Sequence, residues 1–83
     1  MKLKILHISR GSIELTDGTN VFIVGCEGYL ARGESQAVFD IYTNSIVKAD
    51  QNNELRATAS EKEDILQFLK EYFNEKNIPV VWN

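Results

Sequence analysis

Cysteine, histidine and proline each occur once in these 83 residues. A lone cysteine excludes an internal disulfide, and Cys26 has no partner for a zinc site. No apolar run approaches the ~18 residues a spanning helix needs, so no membrane partner is expected. Lys2 and Lys4 precede no long apolar region and no cleavage site, so no secretory signal is expected either. The expected compartment is a reducing cytoplasm. Basic runs are also missing: Lys2, Lys4, Arg10, Arg32, Lys48 and Arg56 are scattered, and net charge is −3. A phosphate-tracking groove needs clustered cations, so nucleic acid is not an expected partner.

Apolar types make up 43% of the chain and charged types 25%. These are globular proportions, and the length suits a single domain over residues 1–83. A domain of this size buries roughly 60 to 65% of its unfolded surface, enough for one modest core. Little room is left for a deep, dry catalytic cavity.

The first half reads as strands. Ser12 to Thr16 alternates, with Ile13 and Leu15 on one face and Ser12, Glu14 and Thr16 on the other. Asp17-Gly18 is a hairpin signal, because both residues tolerate positive φ. Val21 to Val24 is a continuous apolar run that suits a strand covered on both faces. Gly25 is expected to end it, leaving Gly25 to Gln36 as a long, charged, glycine-rich loop. Ala37 to Tyr42 alternates again, with Phe39 and Ile41 on one face and Val38, Asp40 and Tyr42 on the other. Asp50 to Arg56 is polar and reads as loop.

The helix is marked by Ile65, Leu66, Phe68, Leu69, Tyr72 and Phe73, one face of a 3.6-residue period. Thr58 with Glu61, and Ser60 with Glu63, each fit a capping box. Asn77 ends the helix and Pro79 prevents its return. Lys62, Lys70 and Lys76 are expected to pair with neighbouring acids. The expected fold is α+β, a mainly antiparallel sheet of five to six short strands with one amphipathic helix packed on one face. Strands are placed at about 2–9, 12–16, 20–24, 37–42, 45–49 and 78–82, and the helix at about 60–76.

Catalytic chemistry finds little footing. His7 has no Ser, Cys or Asp at a recognisable motif spacing. Cys26 sits beside Glu27, which would raise its pKa, so a free, half-buried thiol is the favoured reading. The loop glycines match neither phosphate-binding pattern. No cofactor is expected, and paired glycosidase carboxylates or a calcium loop find no matching spacing. Phe22, Phe39, Phe68 and Phe73 read as core. Tyr29, in the expected loop, is the best candidate among the aromatics for a binding hot spot. Trp82 either staples the last strand or lies at a contact.

One pattern spans nearly the whole chain. Arg10-Gly11-Ser12-Ile13-Glu14-Leu15 is followed by Asp17-Gly18 and an apolar strand. Val38-Phe39-Asp40-Ile41-Tyr42-Thr43-Asn44-Ser45-Ile46 follows the loop, and one amphipathic helix and a short strand close the chain. This is similar to the immunity protein 74 family, small α+β proteins of bacterial polymorphic toxin systems. The resemblance implies a cytoplasmic protein that binds and neutralises a cognate toxin domain and is not an enzyme. Acidic charge suits a protein that blocks a surface made for phosphate. The expected contact residues are Glu27, Tyr29, Arg32 and Glu34 of the loop, with Glu14, Asp17 and Asp40 on the sheet. The alternatives are a self-associating module or accessory subunit with no toxin partner, pairing through an exposed strand edge, and a small enzyme using His7, Cys26 or a carboxylate.

Overall fold

The computed structural model describes residues 2–30, 37–50 and 53–83. The chain runs β1 (Lys4–Ile8), β2 (Ser12–Thr16), β3 (Val21–Leu30), β4 (Ala37–Ile41), a 3₁₀ turn (Thr43–Ser45), β5 (Val47–Asp50), β6 (Asn53–Arg56), α1 (Ala59–Glu75) and β7 (Val80–Trp82). The seven strands form one sheet. All pairings are antiparallel except β4 with β7, which α1 separates in the chain. A crossover of that kind is what a parallel pair requires. The fold class is the α+β sheet and helix expected from the sequence.

β3 is the spine. β2 lies along one edge, with Ser12 opposite Gly25 and Thr16 opposite Val21. The other edge is shared end to end by β5, against Val21 to Ile23, and β4, against Cys26 to Leu30. Gly25 sits at the joint. Its carbonyl accepts from Tyr42 N–H at 3.0 Å, and its N–H donates to Ser45 Oγ at 2.8 Å. Beyond the joint the sheet divides, with β7 outside β4 and β6 outside β5.

Three expectations are corrected here. Gly25 does not end its strand, and residues 25–30 are strand rather than loop. Their glycines lie where another group comes close. A Cβ on Gly25 would lie 2.8 Å from Ser45 Oγ, and one on Gly28 2.9 Å from the Phe39 ring. Residues 53–56, read as loop, form β6. That strand has little apolar alternation because main-chain pairing to β5 holds it. The segment expected as a strand from 45 begins instead with the 3₁₀ turn, and β5 covers Val47–Asp50.

The hairpin closes differently from the sequence reading. Gly18 takes positive φ (96°), but Asp17 does not, since Asn77 is the only non-glycine with positive φ among the described residues. Asp17 instead accepts from Thr19 N–H at 2.8 Å and Asn20 N–H at 2.7 Å, bracing the turn with its carboxylate.

Thr58, not Ser60, caps the helix. Its Oγ1 accepts from Glu61 N–H at 3.1 Å, and Glu61 Oε1 accepts from Thr58 N–H at 2.9 Å. Lys48 adds an ion pair to Glu61 at 3.3 Å, tying β5 to the helix start. At the other end Asn77 (φ 55°) reverses the chain. Ile78 N–H bonds to Phe73 O and Asn77 N–H to Asn74 O, the paired bonds of a Schellman motif. Lys70 and Lys76 do not follow the expected pairing with acids; they lie over the Trp82 and Tyr72 rings at 5.7 and 5.2 Å.

The core lies between α1 and one sheet face. Ile65, Leu69 and Phe73 of α1 meet Ile13, Leu15, Phe22, Val24, Cys26, Ile41 and Ile46. Each such large side chain stabilises by roughly 1.5–3 kcal/mol when fully buried. Phe39 and Phe68 are partly buried around this cluster, as is Trp82. Val21 and Ile23 are only half-buried, because α1 covers one face of β3 and not both.

Candidate functional site

Side chains alternate across a strand, so the buried set Phe22, Val24 and Cys26 fixes the core face of β3. Ile23, Gly25 and Glu27 therefore belong to the opposite, helix-free face. Cross-strand partners share a face. Glu14 opposite Ile23, Asp40 opposite Glu27, and Val81 opposite Asp40 thus extend that face across β2, β4 and β7.

Glu27 and Asp40 are directly opposed carboxylates. Like charges in that position destabilise a sheet. Tyr42 offsets part of the repulsion by donating its hydroxyl proton to Glu27 Oε2 at 3.0 Å. That bond to Glu27, and the nearby charge, raise the Tyr42 phenol above its ordinary value. Tyr42 is 40% exposed and Val81 48%. Together these four residues make a patch with an acidic centre and an amphipathic rim.

The sequence-derived candidates distribute unevenly. Glu27 and Asp40 come together. Glu14 shares their face but lies roughly 13 Å along the sheet, four residues at about 3.3 Å each. Asp17 lies in the β2–β3 turn, not on the sheet, and its carboxylate is engaged there. Hydrogen bonds from Asn20 and Thr19 N–H hold that carboxyl below its ordinary value. Tyr29 belongs to β3, paired with Val38, rather than to a loop. Arg32 and Glu34 lie outside the described residues. Tyr42 and Val81 were missed. Alternation from Asp40 to Tyr42 was the available signal for the tyrosine; Val81 carried none.

Of the catalytic candidates, His7 and Cys26 are not brought together. His7 opposes Glu14 on the helix-free face. Cys26 is buried on the other face, 3.8 Å from Ser9 O, and burial pushes its thiol pKa up. The sheet stands between them. No group of three or more metal-ligating side chains occurs among the described residues. No helix among them is long and apolar enough to cross a membrane.

A mainly antiparallel sheet backed by one helix, with its other face carrying an acidic patch, defines an α+β protein with one sheet face left bare by the described residues. The chain belongs to the immunity protein 74 family, whose sequence profile matches residues 5–83. Comparison with curated proteins and with solved structures gives no match.

Proposed function

We propose that this chain is a bacterial, cytoplasmic immunity protein that neutralises a cognate toxin domain by binding it, one toxin per chain. It acts by occluding the toxin's active site or substrate groove and catalyses nothing. Membership of the immunity protein 74 family over residues 5–83 carries this reading. The contact is the helix-free face, centred on Glu27 and Asp40 and flanked by Glu14; Tyr29, Arg32 and Glu34 are further proposed contacts. Asp17 contributes at the turn.

The physical support is the opposed carboxylate pair. A repulsion retained in the free protein is relieved when a cation from a partner sits between or above the two groups. Toxin domains that act on nucleic acid present such cations, and an acidic face competes with phosphate for them. The test is co-purification with the toxin domain encoded beside this chain. Specific capture persisting at about 0.5 M salt, where surface charge is largely screened, supports a dedicated inhibitor. Failure of capture even at low salt removes the reading.

A further inference from the structure

We infer that the free edge of β7 is a self-pairing surface through which two copies of this chain join their sheets. Among the described residues the sheet has three outer strands, β1, β6 and β7. Native proteins blunt such edges with charges, bulges, proline or shortness. β1 has Lys4 and a register irregularity between Ile5 and His7. β6 has Glu54 and Arg56. β7 is short and follows Pro79, but it has no charge or bulge: no charged residue occurs from Ile78 to Asn83.

The hydrogen-bond pattern shows which groups are free to pair. Pro79 O accepts from Phe39 N–H at 3.1 Å, and Asn83 N–H donates to Ile41 O at 2.8 Å. Odd residues therefore face β4. Main-chain groups alternate along a strand, so Val80 and Trp82 direct N–H and C=O to the outer edge.

An antiparallel match centred on Val81 uses all four groups. Val80 of one copy opposes Trp82 of the other, and the reverse, with four main-chain hydrogen bonds. Val81 meets its own counterpart in the closer, non-hydrogen-bonded register. Pro79 also falls at a non-hydrogen-bonded position, where its missing N–H costs nothing. The three side-chain pairs within Val80–Trp82 are apolar, and two are aromatic against β-branched, a favourable combination. Asp40, the acid paired with Val81, lies three strand spacings from Asp40 of the other copy, roughly 14 Å, beyond the screening length of about 8 Å.

A second feature lies on the same edge. A cleft of about 230 Å³ opens beside β7 on the core face, lined by Phe73, Asn74, Ile78, Val80, Trp82 and Lys70. The two-fold axis runs perpendicular to the sheet, so both helices lie on one side and the two clefts face each other. Trp82 of each copy is positioned to cover the other's cleft. Both helix-free faces lie on the opposite side, so pairing leaves them open to a partner.

A three-residue edge buries less than the ~1,000 Å² of a stable interface, so the association is weak and is read up to about 1 mM chain. Sedimentation of the full chain is expected to show a concentration-dependent monomer–dimer equilibrium. Val81 is half-exposed and outside the core, so Val81→Lys leaves the fold intact. It sets like charges across the axis and weakens dimerisation by about fivefold or more. Mixing Val81→Lys with Val81→Glu restores association as a heterodimer. A wild-type chain that stays monomeric overturns the inference. So does a dimer indifferent to Val81→Lys, or a charge-swapped mixture that fails to pair.

Discussion

Glu27 and Asp40 face each other across the β3–β4 ladder, an acidic cross-strand pair on the sheet face that the helix leaves bare. In the free protein this arrangement opposes stability. Asp40→Asn is therefore expected to raise stability slightly, by about 0.2–1 kcal/mol. The same change is expected to weaken toxin binding. Chemical denaturation and titration calorimetry on one variant test both signs. A variant that loses stability and binding together would instead mark Asp40 as a structural residue.

Gly25 is held against Ser45, whose Oγ accepts its N–H at 2.8 Å. A Cβ at Gly25 would fall 2.8 Å from that oxygen and 3.1 Å from Ser45 Cβ. Gly25→Ala is expected to destabilise by about 1–3 kcal/mol, as overpacking does. Ser45→Ala removes the oxygen but also the hydrogen bond. The double variant is expected to be less destabilised than the sum of the two single changes, a coupling that denaturant melts resolve. Strict additivity would show that the joint is not strained by the added methyl.

Acid is expected to loosen the β2–β3 turn and the start of α1 through Asp17 and Glu61. Backbone N–H bonds, from Asn20 and Thr19 to Asp17 and from Thr58 to Glu61, hold both carboxyls below their ordinary values; Lys48 adds to the effect on Glu61. A depressed folded pKa means stability fully present above the unfolded value and lost as pH falls through the folded one. With ordinary values of 3.8 and 4.5, the loss begins as pH drops below the Glu value. Thermal melts from neutral to acid pH are expected to show this decline, and Asp17→Asn with Glu61→Gln to flatten it. At neutral pH, Thr58→Ala is expected to cost about 1 kcal/mol through the lost cap.

Cys26 is expected to be a slow thiol. It is 5% exposed, on the core face, and its pKa is raised by burial. Alkylation at mildly alkaline pH is expected to follow unfolding, becoming fast only in denaturant. Rapid labelling of the native chain would contradict the packing described for β3.

The sequence made some of this legible and hid the rest for physical reasons. Helix α1 was clear because its apolar period, its Thr58–Glu61 box and its Asn77 stop agree with one another. The β2 strand was clear because Ile13 and Leu15 alternate with polar residues. The second half of β3 was hidden because Gly25, Cys26, Glu27 and Gly28 resemble loop residues. Only the close approach of Ser45 and Phe39 explains those glycines, and that approach is long-range. β6 was hidden because pairing with β5 holds a polar segment. At the site, alternation put Asp40 and Tyr42 on one face, but their meeting with Glu27 depended on extending β3. Arg32 and Glu34 followed from the loop reading alone.

The central claim is that the helix-free face is the toxin-binding face. Titration calorimetry of the neighbouring toxin domain with the wild-type chain and with the Glu27→Gln, Asp40→Asn double variant tests it most directly. The account predicts saturation at one toxin per chain, with the double variant weakened by about tenfold or more, a loss near 1.4 kcal/mol. Undiminished affinity in a folded double variant, or no binding by the wild-type chain, would contradict it.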